Sequence, residues 1–87
     1  MAPLDIHIVT PDRHERRPDA AALNVPAEAG RLTVLTGHQP LVCSLREGDI
    51  RIDAADGQRE TWKTGTGTLR VAQVDVTILA RSAERVS

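Results

Sequence analysis

Residues 25–41, VPAEAGRLTVLTGHQPL, decide the fold because they place two tight turns around one short apolar run. The first turn is Glu28-Ala29-Gly30 and the second is Thr36-Gly37-His38-Gln39-Pro40. Glycine supplies the positive φ that a sharp reversal needs, and proline fixes φ and cannot donate a ladder hydrogen bond. The run between the turns, Leu32 to Leu35, is therefore predicted to be a strand with an ordered loop at each end. Such loops suit a protein that meets a partner.

The rest of the chain alternates apolar and polar residues with a period of two, which is typical of half-buried strands. Turn signals recur at short intervals, and Asp56-Gly57 is predicted to form a type I′ hairpin turn. Many short strands at this spacing indicate a sandwich or barrel. We predict an all-β fold, an antiparallel β-sandwich of about eight to ten short strands. The residues predicted to point inward are Leu4, Ile6, Ile8, Val25, Val34, Ile50, Ile52, Val76 and Ile78.

The chain has 87 residues, which predicts a single domain over residues 1–87 with its core at about residues 4–80. Residues 81–87 are predicted to be a tail or the stub of a helical linker, too short for a stable helix alone. With no Phe or Tyr, the core has to be built from Val, Leu, Ile and Ala. The one tryptophan, Trp62, is interpreted as a core residue or as an exposed interface anchor.

Composition excludes several classes of function. The net charge of −1 gives no attraction to nucleic acid or anionic lipid. The basic group Arg13, Arg16 and Arg17 is interpreted as a solvated loop rather than a phosphate site. The single cysteine, Cys43, excludes an internal disulfide and is predicted to be a small buried hydrophobe. No apolar run is long enough for a signal peptide or a membrane span, so we expect a cytoplasmic or other reducing setting without membrane insertion.

The sequence offers no set of residues for catalysis. The three histidines, His7, His14 and His38, lack metal-ligand spacing. His38 lies in a turn, where it can cap the backbone or contact a partner, and no Ser–His–carboxylate set is recognisable. Gly65-Thr66-Gly67 lacks the third glycine and the helix of a dinucleotide fingerprint, so a strand-joining turn is predicted. We therefore expect a non-enzyme with no cofactor and no metal.

The ordered set of motifs resembles the N-terminal β-sandwich domain of the epsilon subunit of F-type ATP synthases. That family has a strand ending in V-T-P-(E/D)-R, a V-P-x-x-x-G turn, a G-H-x-P-L turn, an L-x-x-G-x-I-x-I strand and a final V-T-V-L-A strand. The matches run in order from Leu4 to about Glu84. They are Val9 to Arg13, Val25-Pro26 with Gly30, Gly37 to Leu41, Leu45 to Ile52, and Val76 to Ala80.

The chain departs from the family pattern at a few places. Leu32-Thr33 stands where Phe-Gly or Leu-Gly is usual, and Arg31 where an acidic residue is common. The family's Gly-Gly-Phe-Leu-Glu-Val segment appears as Gly65 to Val71. The family's C-terminal two-helix hairpin has no counterpart in these residues. We therefore expect coupling without hairpin-type inhibition, and no ATP affinity for the isolated domain.

The resemblance implies a rotor subunit of the central stalk, which couples ion flow through the c-ring to ATP synthesis or hydrolysis in other subunits. Its implied partners are the gamma subunit and the polar loops of the c-ring. Its implied location is peripheral, on the cytoplasmic side of the inner or plasma membrane. The ring-facing loop would be Glu28, Ala29, Gly30 and Arg31. Near gamma or the ring would lie His38, Gln39 and Pro40, followed by Val42 and Cys43.

The alternative function is a free-standing β-sandwich or small-barrel module that binds sugar or nucleic acid. Modules for single-stranded nucleic acid usually expose aromatic rings on which their ligands stack. A chain with one aromatic residue in all is poorly equipped for that kind of binding.

Overall fold

A computed structural model describes residues 3–87, and those residues form nine β-strands and no helix. The predicted all-β sandwich of about eight to ten strands is confirmed. The strands are β1 (Leu4–Thr10), β2 (Arg13–Ala27), β3 (Gly30–Leu35), β4 (Leu41–Leu45), β5 (Gly48–Ala54), β6 (Arg59–Thr64), β7 (Gly67–Ala72), β8 (Asp75–Ala80) and β9 (Ala83–Arg85).

The strands follow the order β1-β8-β7-β4-β2-β5-β6-β9, with β3 paired to β2 and a further pairing between β1 and β2. One pairing departs from the antiparallel prediction, because β1 and β8 run parallel, with Ile6 opposite Val76 and Ile8 opposite Ile78. A hairpin forces neighbouring strands to be antiparallel, but β1 and β8 are separated by most of the chain. Their orientation is therefore set by packing rather than by a turn.

Strand β2 is the longest element and pairs with four other strands, β1, β3, β4 and β5. Its first part pairs with β1, and its second part pairs with β3 and β5. The predicted solvated loop at Arg13, Arg16 and Arg17 is wrong, since these residues lie in the first part of β2. Their charge does not prevent strand formation because Arg16 and Arg17 form ion pairs with acidic residues of neighbouring strands.

The core is aliphatic, and all nine residues predicted to point inward are buried. Trp62 is only 2 % exposed, so its interpretation as a core residue is confirmed. Its ring lies beneath the guanidinium groups of Arg13 and Arg17, at 5.6 and 5.8 Å from the ring centroid. Cation–π attraction lets these two arginines cover the ring on the inner side of β2.

The predicted type I′ turn at Asp56-Gly57 is wrong. Only Gly57 has a positive φ, of 91°. The Gly57 N–H donates to the carbonyl of Ala54 at 3.0 Å, and the Ala54 N–H donates to the carbonyl of Gln58 at 2.8 Å. These bonds enclose a three-residue loop, in which a glycine in the left-handed region ends the turn.

The C-terminal residues also differ from the predicted tail or helical stub. Ala83–Arg85 forms β9, which pairs antiparallel with β6 through Thr64 opposite Ala83 and Trp62 opposite Arg85. The Val86 N–H extends this pairing by donating to the Thr61 carbonyl at 2.9 Å. The physical reason is that β6 would otherwise leave a row of unpaired backbone groups, which another segment can satisfy.

Candidate functional site

The segment Glu28–Arg31 is exposed and is fixed by backbone contacts, and its last two residues, Gly30 and Arg31, begin strand β3. Gly30 has a φ of 134°, a conformation that other residues rarely adopt. The Glu28 N–H donates to the carbonyl of Ser44 at 3.0 Å, so the loop is attached to the end of β4. The four residues predicted to face the ring therefore form one ordered, solvent-facing surface.

Arg31 lies across the neighbouring strand β2. Its Nε donates to Asn24 Oδ1 at 2.8 Å, and its Nη2 donates to the same oxygen. Asn24 is held in turn, because its Nδ2 donates to Thr33 Oγ1 at 2.9 Å. A guanidinium has five N–H donors, so Arg31 keeps donors for a partner while Asn24 fixes its direction.

The second predicted set begins in the turn between β3 and β4. Gly37 has a φ of 89°, and the His38 N–H donates to the carbonyl of Leu35 at 3.0 Å. His38 Nδ1 lies 2.7 Å from the carbonyl of Gln39, which can only accept, so Nδ1 carries the proton. His38 thus caps its own turn, and its ring remains half-exposed for a partner.

Strand β4 continues this set with Val42 and Cys43, which point to opposite faces. Val42 is 70 % exposed on the outer face. Cys43 faces inward but is half-buried, so the prediction of a buried cysteine is only partly correct. Burial raises the pKa of the Cys43 thiol, which keeps it protonated and a weak nucleophile near neutral pH.

Strand β4 brings Val42 and Cys43 back toward the first set, because the carbonyl of Ser44 accepts the Glu28 N–H. The first set and the His38 turn remain separate. They flank the six-residue strand β3, which spans about 20 Å at the rise of a β-strand. The longest extent of the molecule is 31 Å. The Glu28–Arg31 loop and the His38 turn therefore lie at opposite ends of the sandwich.

Two exposed apolar residues, Val42 on β4 and Leu79 on β8, lie on one face with β7 between them, and sequence reasoning did not include Leu79 in the site. Leu79 on β8 is 51 % exposed. Val42 is opposite Arg70 on β7, and Arg70 is opposite Thr77 on β8, so Val42 and Leu79 share one face. In the sequence, only Leu79 indicated this outer face of β4, β7 and β8, because it interrupts the alternation of apolar and polar residues along β8.

Within residues 3–87, no three or more His, Cys, Asp or Glu side chains are grouped so that they could hold a metal ion. The same part of the chain contains no helix of the length and apolar character required to cross a membrane. What these residues do offer is two ordered loops and an outer face with exposed apolar side chains.

Comparison with known proteins identifies the family. The sequence model of the ATP synthase delta/epsilon chain β-sandwich domain matches residues 3–86. The ATP synthase epsilon chain of Bordetella petrii is 36 % identical over 87 residues, which cover 100 % of this chain and 62 % of the relative. That of Bacillus velezensis is 40 % identical over 84 residues, covering 97 % of this chain and 63 % of the relative. The chain thus spans about six-tenths of the length of these relatives.

Solved structures show the same fold. A chain in the mitochondrial ATP synthase of Euglena gracilis superposes with a TM-score of 0.91 at 21 % identity, covering 98 % of this chain and 54 % of that one. A chain in the central stalk and c-ring assembly of Tetrahymena thermophila superposes with a TM-score of 0.76 at 10 % identity, covering 97 % and 69 %. The sequence matches extend over nearly the whole chain, and we conclude that it belongs to the ATP synthase delta/epsilon β-sandwich family.

Proposed function

We propose that the chain is the coupling domain of a central-stalk subunit in an F-type ATP synthase, and that it joins the gamma subunit to the c-ring. Family membership supports the type of complex. The observation that carries the proposal is the placement of the ordered Glu28–Arg31 segment and the ordered His38 turn at opposite ends of β3, a strand about 20 Å long. Two separated surfaces suit a part that bridges two partners.

The end formed by Glu28–Arg31 suits the polar loops of the ring. Its side chains carry both signs of charge, and its backbone is held by β4 through the Glu28 N–H. Charged rim contacts give orientation and association rate more than they give affinity. Arg31 would pair with an acidic group on its own ring.

The His38 turn and the outer face of β4, β7 and β8 suit gamma. Val42 and Leu79 are exposed apolar residues on this face, with Arg70 of β7 between their strands, and protein interfaces are enriched in arginine beside a hydrophobic core. His38, Gln39 and Pro40 lie at the start of β4, at the edge of this face. Gamma would therefore contact the turn and the beginning of β4.

The mechanism is mechanical rather than chemical. Torque from ion flow through the ring would pass through this domain and gamma to the nucleotide-binding subunits. A sandwich whose strands are joined by backbone hydrogen bonds over an aliphatic core resists deformation because close-packed interiors have low compressibility. The domain would be non-catalytic and peripheral, on the cytoplasmic side of the membrane.

The second candidate, a sugar or nucleic acid module, has less support. Its one aromatic residue, Trp62, is 2 % exposed and cannot act as a stacking platform. No other observation favours that function.

The test uses two variants, each expected to lose binding to a different partner. Binding is measured with the purified gamma subunit and c-ring of the same complex at low salt. Arg31→Glu should weaken binding to the ring several-fold and leave gamma binding intact. Val42→Asp should weaken binding to gamma and leave ring binding intact, because it places a charge in an apolar contact.

Matched controls come from exposed residues of the same types elsewhere on the domain. Arg59→Glu, at the exposed start of β6, repeats the charge change, and Val86→Asp beyond β9 repeats the apolar-to-acid change. Neither control should alter binding to either partner. Equal binding of Arg31→Glu and Val42→Asp to both partners, with folding intact by circular dichroism, would refute the two-partner assignment.

A further inference from the structure

Two histidines that are seven positions apart in the sequence meet across the β1–β2 hairpin. His7 Nδ1 lies 2.9 Å from His14 Nε2, and the ring centroids are 5.1 Å apart at an interplanar angle of 41°. The antiparallel register explains the contact, since Val9 is opposite His14 and His7 is opposite Arg16. Residues diagonal to each other across two strands are within reach of long side chains.

The neighbouring carboxylate determines where the protons lie. His7 Nε2 is 3.5 Å from Asp5 Oδ1, so its proton points toward the carboxylate and leaves the Nδ1 lone pair facing His14. Without a ligand, the His14 Nε2–H donates to that lone pair. When His14 shifts its proton to Nδ1, its Nε2 lone pair points toward that of His7, and a rotation of the two rings directs both lone pairs to one ion beside the line that joins the nitrogens.

We propose that His7 Nδ1 and His14 Nε2 together bind one divalent transition-metal ion, of the Zn²⁺ or Cu²⁺ class. Zinc–imidazole bonds of about 2.0–2.1 Å in tetrahedral geometry place two ligand nitrogens about 3.3 Å apart. The observed 2.9 Å requires a separation of only a few tenths of an ångström. Water molecules would complete the coordination of the ion, and they can reach it because His14 is exposed.

Asp5 would act as the second-sphere partner that orients His7. Metal-bound imidazoles usually donate their other N–H to a carboxylate, which fixes the ring and strengthens the ligand. Asp5 is itself held by Arg16, whose Nε and Nη2 each donate to a carboxylate oxygen at 3.0 Å. On the other side, Asp5 is opposite Asp75 of β8, so two acidic residues offset the charge of the bound ion and of Arg16.

The experiment is calorimetric titration of ZnCl₂ into the 87-residue chain at pH 7.5. We expect one ion per chain, and at least a tenfold loss of affinity in both His7→Ala and His14→Ala. His38→Ala is the matched control, because His38 caps a turn at the far end of β3, and it should bind zinc as the parent does. Asp5→Asn should weaken binding by about tenfold, as second-sphere changes do.

NMR spectroscopy provides a second measurement, in case zinc binds without a detectable heat. Zinc should shift the NMR ring-proton signals of His7 and His14 and leave those of His38 unchanged. MgCl₂, which prefers oxygen ligands, should have no effect. Zinc binding that survives His7→Ala and His14→Ala, or the absence of both heat and signal shifts, would overturn the proposal.

Discussion

Glu60 joins side chains from three strands at the edge of the core. It accepts hydrogen bonds from Arg17 of β2, at 2.8 Å from Nη2, and from Trp62 Nε1 at 2.7 Å. Arg85 of β9 lies 3.7 Å away, and the Glu60 side chain is only 14 % exposed. The hydrogen bonds from Arg17 hold the pKa of Glu60 below its ordinary value, with a further contribution from Trp62.

This geometry predicts how stability depends on pH. The folded state binds the Glu60 proton more weakly than the unfolded chain does, so the stabilisation is fully present above an unfolded pKa of about 4.3. It is lost as the pH falls through the lower pKa of the folded state. Glu60→Gln should therefore cost about 2 kcal/mol at pH 7 and less at pH 3. Urea unfolding of the parent and the variant at both pH values measures the difference.

Glu84→Gln is the control for that series. Glu84 is exposed on β9, opposite Lys63, and changing it should alter stability little at either pH. A Glu60→Gln variant that is as stable as the parent at pH 7 would contradict the role of the Arg17–Glu60–Trp62 contacts. The partners Arg17 and Glu60 are 43 positions apart, so the sequence alone could not have paired them.

At the level of elements, the contact between β7 and β8 depends on a glycine. Gly67 is opposite Ala80, and a Cβ at position 67 would lie 2.0 Å from the carbonyl oxygen of Leu79. A backbone oxygen cannot move aside without displacing β8. Gly67→Ala should therefore destabilise the domain by about 3 kcal/mol, at the upper end of overpacking costs. Denaturant midpoints measure this loss.

The variant Gly57→Ala measures the cost of backbone strain alone, without the steric clash expected for Gly67→Ala. Gly57 has a φ of 91° but no atom within 4 Å of its would-be Cβ. Its replacement should cost about 1 kcal/mol, which is the cost of placing an L-residue in the left-handed region. If Gly67→Ala costs no more than Gly57→Ala, the close approach of β7 and β8 is not as tight as described.

The elements predicted correctly are those with local signals. The turns at Gly30 and Gly37 followed from glycine and proline chemistry, and both glycines adopt positive φ. The parallel β1–β8 pairing and β9 depend on which distant strands pack together, and periodicity does not encode that. The strand character of Arg13–Arg17 was missed for the same reason, because its acidic partners come from β1 and β6.

The residues of the candidate site also differ in whether local sequence signals could locate them. Its two loops were located from residue types, while the relation of Val42 to Leu79 required the register through β7. His7 and His14 were not recognised as a pair, because their contact across β1 and β2 depends on the register of the two strands. A cross-strand pair has no spacing signature until the register is known.

On the scale of the whole molecule, the long axis separates the two proposed contact regions. The extents are 31 × 25 × 21 Å, and the strand β3 accounts for about 20 Å of the distance between the loops. A partner at one end cannot reach the other loop without covering the length of the sandwich. Arg31→Glu tests this separation directly, because the Arg31 side chain lies on Asn24 of β2, far from the His38 turn.

The last prediction concerns nucleotide binding by the whole domain. A phosphate cradle needs free backbone N–H groups, usually at the start of a helix. In the Gly65-Thr66-Gly67 turn, the Gly65 N–H instead donates to the carbonyl of Ser82 at 3.0 Å, and Gly67 lies against β8. Titration of the 87-residue chain with MgATP should therefore give no binding up to millimolar concentration. Saturable micromolar binding that Gly65→Ala abolishes, in a variant that still folds, would show that the turn opens to receive phosphate.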